Sequence, residues 1–79
     1  MAKKVYNRVK ELIAEKTRRT ESSISIRDVA DATGLSKNTV SKWARNGNKS
    51  YDREVIARFL EYFDCTISEL LVYEKSGDE

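Results

Sequence analysis

The stretch Ile26-Arg27-Asp28-Val29-Ala30-Asp31-Ala32-Thr33-Gly34-Leu35-Ser36-Lys37-Asn38-Thr39-Val40-Ser41-Lys42-Trp43-Ala44-Arg45-Asn46 decides how this 79-residue chain folds. Just ahead of it, Ser25 is followed three residues later by Asp28. That is a capping-box spacing with Asp in place of the usual Glu, so a helix begins at Ile26 and stops near Thr33. Gly34 then supplies the left-handed backbone that a tight turn needs and that a side chain disfavours. Ser36 caps a second short helix from Lys37 to Asn46, closed by Gly47. Val29, Leu35, Val40 and Trp43 fall where they meet in one small core, and Ala30 is small where the two helices cross.

Outward from this pair the periodicity stays helical. Val5, Val9, Leu12 and Ile13 lie at i, i+4, i+7 and i+8, one face of an amphipathic helix over about residues 3–17. Thr17 to Ser23 reads as a polar surface loop, and Asn46-Gly47-Asn48-Lys49-Ser50 is turn chemistry. Asp52 caps a fourth helix through Phe63, with Val55, Ile56, Phe59, Leu60 and Phe63 at helical spacing. Thr66 with Glu69 repeats the capping box and opens a short fifth helix whose buried side is Ile67, Leu70 and Leu71, although Val72-Tyr73-Glu74 is open to an extended finish. Five short helices in one chain define an all-α fold, a single domain over 1–79 with the central helix pair at about 26–46 and a flexible tail at about 75–79.

Composition narrows the function. The chain has no histidine, one cysteine and no proline, so histidine base catalysis, a Cys/His zinc site and an internal disulfide lack their residues. Its longest apolar run is Leu70 to Tyr73, too short for a membrane span or a signal peptide, and a cytoplasmic protein is expected. The net charge of +2 hides an asymmetry. Residues 1–50 carry 12 basic against 5 acidic side chains, a net +7, whereas residues 51–79 carry 3 against 8, a net −5. A polyanion suits the first part and is repelled by the second. Two solvated faces of opposite sign would give the same numbers.

The central pair is a helix-turn-helix, and Val29-Ala30, Thr33-Gly34-Leu35-Ser36, Thr39-Val40-Ser41-Lys42-Trp43 and Asn46-Gly47 resemble the Xre family of lambda-repressor and Cro-like regulators. With the flanking helices, including Glu61-Tyr62-Phe63-Asp64-Cys65 and Thr66-Ile67-Ser68-Glu69-Leu70-Leu71, the resemblance covers roughly residues 4–72. It implies a five-helix lambda-repressor-like DNA-binding domain whose third helix enters the major groove. Lys37, Asn38, Ser41 and Lys42 are then the base-reading candidates, because Asn can bond adenine bidentately and Lys can reach guanine O6 and N7. Val40 and Trp43 face inward. Backbone contacts are expected from Arg27, Thr39, Arg45, Asn48 and Lys49 and from the amides opening the second helix. Ile26 stands where the family often has a phosphate-touching glutamine, which passes that contact to Ser25 or Arg27, and the loop after the third helix lacks the family's frequent proline. Arg18 and Arg19 are weaker candidates in a polar loop, and Tyr51 is assigned to packing ahead of a phosphate contact. Cys65 reads as a small core residue.

The function so implied is a sequence-specific, double-stranded DNA-binding transcriptional regulator, a repressor on a palindromic operator, working as a homodimer through the aromatic C-terminal region and located with the bacterial nucleoid while bound. No cofactor, metal or small-molecule effector is expected. The alternative is the antitoxin of a toxin-antitoxin pair, binding both its operator and a protein toxin. A MerR-like excisionase fits less well, since about 25 residues precede the motif and helices follow it. An enzyme would have to rest on pairs such as Asp28 with Asp31, which any charged helix contains, and no Gly-rich phosphate loop exists.

Overall fold

The capping signals open helices where they stand in the computed structural model, which describes residues 3–75. The elements run β1 (Lys3–Asn7), α1 (Val9–Thr20), α2 (Ile26–Thr33), α3 (Lys37–Ala44), α4 (Arg53–Phe63), α5 (Ile67–Leu70) and β2 (Leu71–Lys75). At α2 the Ser25 hydroxyl accepts from the Asp28 amide while the Asp28 carboxylate accepts from the Ser25 amide. Ser36 Oγ accepts from the Thr39 amide at α3, and Asp52 Oδ1 accepts from the Glu54 and Val55 amides at α4. At α5 the Thr66 amide donates to Glu69 Oε1 at 2.8 Å. Each bond satisfies a first-turn group that the helix itself leaves unpaired.

The expectation of an all-α fold is corrected by a two-stranded antiparallel sheet, in which Val5 pairs with Tyr73 and Asn7 with Leu71. The first helix accordingly starts at Val9, well after residue 3, and runs on to Thr20 through part of the expected loop. Val5 sits at helical spacing from Val9, but β2 offers it a ladder. The Arg8 amide donates to the Leu70 carbonyl at 2.8 Å, and Asn7 Oδ1 accepts from the Val9 amide at 2.9 Å, so the helix begins after them. Val5 is 48% exposed in the ribbon. Glu21 closes α1 in the left-handed region at φ 56°. Of the expected tail, Lys75 ends β2 and the remainder lies outside the described residues.

Val9, Leu12, Val29, Ala30, Val40, Trp43, Phe59, Phe63 and Leu70 form the buried core, with Leu35 half-buried against it. Trp43 meets Phe59 at 5.1 Å between centroids and Tyr51 edge-on at 5.3 Å, which places the Tyr51 ring in packing. Ile67, expected on the buried side, is 49% exposed. The one-turn α5 buries Leu70, four residues being too few to bury a second face, and Leu71, expected on the same helix, instead opens β2 half-buried. The third helix also ends two residues early, because Asn46 rather than Gly47 takes the left-handed conformation, at φ 56°.

Candidate nucleic-acid interface

Val40 and Trp43 are buried, and that anchoring fixes which side of α3 looks outward. At 100° per residue, Lys37, Ser41 and Arg45 then align at i, i+4 and i+8, with Asn38 and Lys42 beside them. Lys37, Asn38 and Lys42 are exposed and Ser41 is half-buried. Gly34 holds the preceding turn at φ 80°, with its amide donating to Ala30 O. A Cβ there would also stand 2.7 Å from Arg58 Nη1, which donates to Thr33 O at 2.7 Å and so closes the C-terminus of α2.

Two clefts flank α3. The first is lined by Thr39, Lys42, Asn48 and Lys49 and gathers one base-reading candidate with three backbone candidates. The second gathers Ser25, Ser41 and Arg45 over a floor of Ile13, Ile24 and Ile26. Lys37, Asn38 and Arg27 line neither and stand exposed at the starts of α3 and α2. Lys10 of α1 lines the second cleft beside Ser41 and Arg45. Sequence reasoning missed it, since nothing local separates a lysine on a solvated helix face from one that the packing of α1 carries to α3.

Several candidates already hold hydrogen bonds. Arg45 Nη1 donates to Ser41 Oγ at 3.1 Å, laying a guanidinium along the outward face. Ser36 Oγ donates to Thr39 Oγ1 at 2.9 Å, so the Thr39 hydroxyl keeps its own proton to give outward. At α2 the capping box uses the amides of Ser25 and Asp28 and sets a carboxylate at the helix end, leaving the amides of Ile26 and Arg27 outside it. Asn48 accepts from Asn7 Nδ2 at 3.3 Å and donates to Ser50 O at 3.0 Å, so it is built into its loop. Arg18 and Arg19 lie in the last turn of α1, where cations favour the helix dipole, and not in a loop.

Asp52, which caps α4, is the one acid lining either cleft among the described residues. Glu54 and Glu61 line a third cleft, and Glu15, Asp64 and Glu69 a fourth. Burial, reinforced by the Glu69 carboxylate, pushes the Cys65 thiol up, which disfavours the reactive thiolate. Among the described residues no group of three His, Cys, Asp or Glu is placed to hold a metal ion, and no helix is long and apolar enough to cross a membrane.

A capped helix, a left-handed glycine turn and a second helix with a polar, acid-free outer face define the class of helix-turn-helix DNA-binding domains. The family model described as the Cro/C1-type HTH DNA-binding domain matches residues 8–76, and the chain belongs to that family. It is a family of DNA-binding domains and not of enzymes, consistent with the Xre resemblance. Strand β1 precedes the matched segment. Searches of curated proteins and of solved structures returned no match.

Proposed function

We propose that the protein is a sequence-specific repressor that binds a palindromic operator in duplex DNA as a homodimer. The observation that carries this reading is the outward face of α3, where Lys37, Asn38, Ser41 and Lys42 project from a helix locked inward by Val40 and Trp43. In this reading those four side chains meet base edges, while Arg27, Arg45, Lys49, Thr39 and Ser25 meet phosphates, helped by Lys10. Asn48 acts chiefly by shaping the loop that carries Lys49. The place of action is the cytoplasm, at the nucleoid while the protein is bound.

The dimer is supported by the ribbon. Tyr51 Oη donates to Val5 O, so the main chain of Val5 points away from β2. Tyr73, its partner in the register, therefore turns its own N–H and C=O outward along the far edge of β2. Val5 and Tyr73 share a face on which they are 48% and 59% exposed. An edge left open among the described residues, beside an apolar pair, is what a second copy pairs with around a two-fold axis. Truncation before Val72 leaves Phe59, Phe63 and Leu70 in the core, so helical circular dichroism is expected to persist while operator affinity falls. Sedimentation with and without operator checks this, and a one-to-one complex indifferent to truncation would remove the dimer.

Selection of bound sites from random duplex tests the function itself, and half-sites about 10 base pairs apart are expected. Binding should also weaken steeply with salt. Arg27→Ala and Lys49→Ala should each lower the slope of log affinity against log salt by about 1, with all sequences weakened alike.

A further inference from the structure

One side chain meets both main-chain groups of the last residue of β1. The Asn7 amide donates to Asn46 Oδ1 at 2.8 Å, and Asn46 Nδ2 donates to the Asn7 carbonyl at 3.1 Å. A primary amide offers an acceptor and a donor side by side, so Asn46 serves as a one-residue strand on the edge of β1 that β2 does not cover. Asn7, only 1% exposed, reaches the same loop through its side-chain bond to Asn48 and at the same time accepts from the Val9 amide at the start of α1. Two residues back along this edge, Tyr51 Oη donates to Val5 O at 3.0 Å. The segment from Asn46 to Tyr51 is thus fastened to β1 at three points.

That segment follows directly on α3. Asn46 has φ 56°, a conformation that glycine adopts at lower cost. Its amide accounts for an asparagine at this position. Arg45 lies immediately before the clamp, and Lys49 is exposed between Asn48 and Tyr51. Without the clamp, Lys49 sits on a loop held to α3 by the Gly47 and Asn46 amides, which donate to Lys42 O and Trp43 O, whereas Arg45 keeps its own amide bond to Ser41 O.

We infer that Asn46 is a positioning residue for DNA binding: clamped to Asn7, it holds Lys49 in place to meet a phosphate and ties the β ribbon rigidly to the recognition helix. The inference rests on the DNA-binding reading above. It assigns β1 a role beyond completing the sheet, since a displacement of the ribbon is transmitted through Asn7 to the loop at the end of α3. The ribbon and that phosphate contact then form one mechanical unit.

The test is Asn46→Gly, which suits the left-handed backbone and removes only the amide. Wild type and variant are titrated on one selected duplex across a salt series, well below both melting midpoints. The salt slope of the variant is expected to fall by about 1, for the release of Lys49, with the preferred base sequence unchanged. A purely structural role would lower the midpoint and leave the slope alone. Tyr51→Phe keeps its ring on Trp43 and loses only the bond to Val5, so it folds and shifts the slope in the same direction by less. It decides the matter should Asn46→Gly fail to fold. Wild-type slopes in both variants would overturn the inference and leave DNA binding intact, whereas a wild-type protein that binds no duplex overturns both.

Discussion

Trp43→Ala is expected to cost about 3–5 kcal/mol of stability, the usual loss for a large aromatic removed from a core. Trp43 is 3% exposed and joins three parts of the domain: α3 itself, the Tyr51 ring after the loop and Phe59 of α4. Those contacts cannot close over the space that an indole leaves, because Phe59 and Val40 are already fully buried and held by their own helices. A chain of this size has only about 4–12 kcal/mol in total, at roughly 0.05–0.15 kcal/mol per residue, so the variant sits at the edge of unfolding. DNA binding is lost with the fold. Urea titration followed by circular dichroism measures the loss, since the chain holds one tryptophan and the variant has no indole fluorescence. A cost below about 1 kcal/mol would mean that Trp43 does not bridge α3 to α4 as described.

The second large effect falls on recognition and spares the fold. Asn38→Ala and Lys42→Ala should each weaken binding to the preferred site by about 1–3 kcal/mol and relax discrimination at one base position. Asn38 and Lys42 are both exposed on α3, so thermal stability should change by no more than about 0.5 kcal/mol. Lys42 also lines the cleft shared with Thr39 and Lys49, so its loss should flatten the salt dependence as well, a signature that Asn38, being neutral, should lack. Parallel titrations on the preferred duplex and on single-base variants separate the two roles. A variant that unfolds the protein while keeping its base preference would place that side chain inward and break the register proposed for α3.

Local chemistry made much of this legible. Capping boxes, the glycine turn and apolar residues at helical spacing are interactions between residues three or four apart, so Ser25, Gly34, Ser36, Asp52 and Thr66 mark their helices without knowledge of the rest. The outward face of α3 follows from Val40 and Trp43 being its apolar pair. Charge asymmetry pointed to a polyanion, and the second cleft beside α3 is lined by no acid among the described residues. The two largest departures involve partners far away in sequence. Val5 matches the helical spacing of Val9 and Leu12, and nothing near residue 5 reveals a ladder with Tyr73. The expected end of α3 at Asn46 and Gly47 missed the side chain that Asn7 holds, 39 residues earlier.

By itself, then, the sequence determined the helix-turn-helix, its inward anchors and the set of polar side chains it can present, because short-range hydrogen bonds and periodicity need no tertiary partner. Only the tertiary structure decided that residues 3–7 form a strand, that Lys10 joins Ser41 and Arg45, and that one buried asparagine fastens the loop after the recognition helix. Each of those depends on main-chain and side-chain groups that are satisfied only after the chain has closed on itself. A strand edge has no stabilising partner until folding brings one beside it.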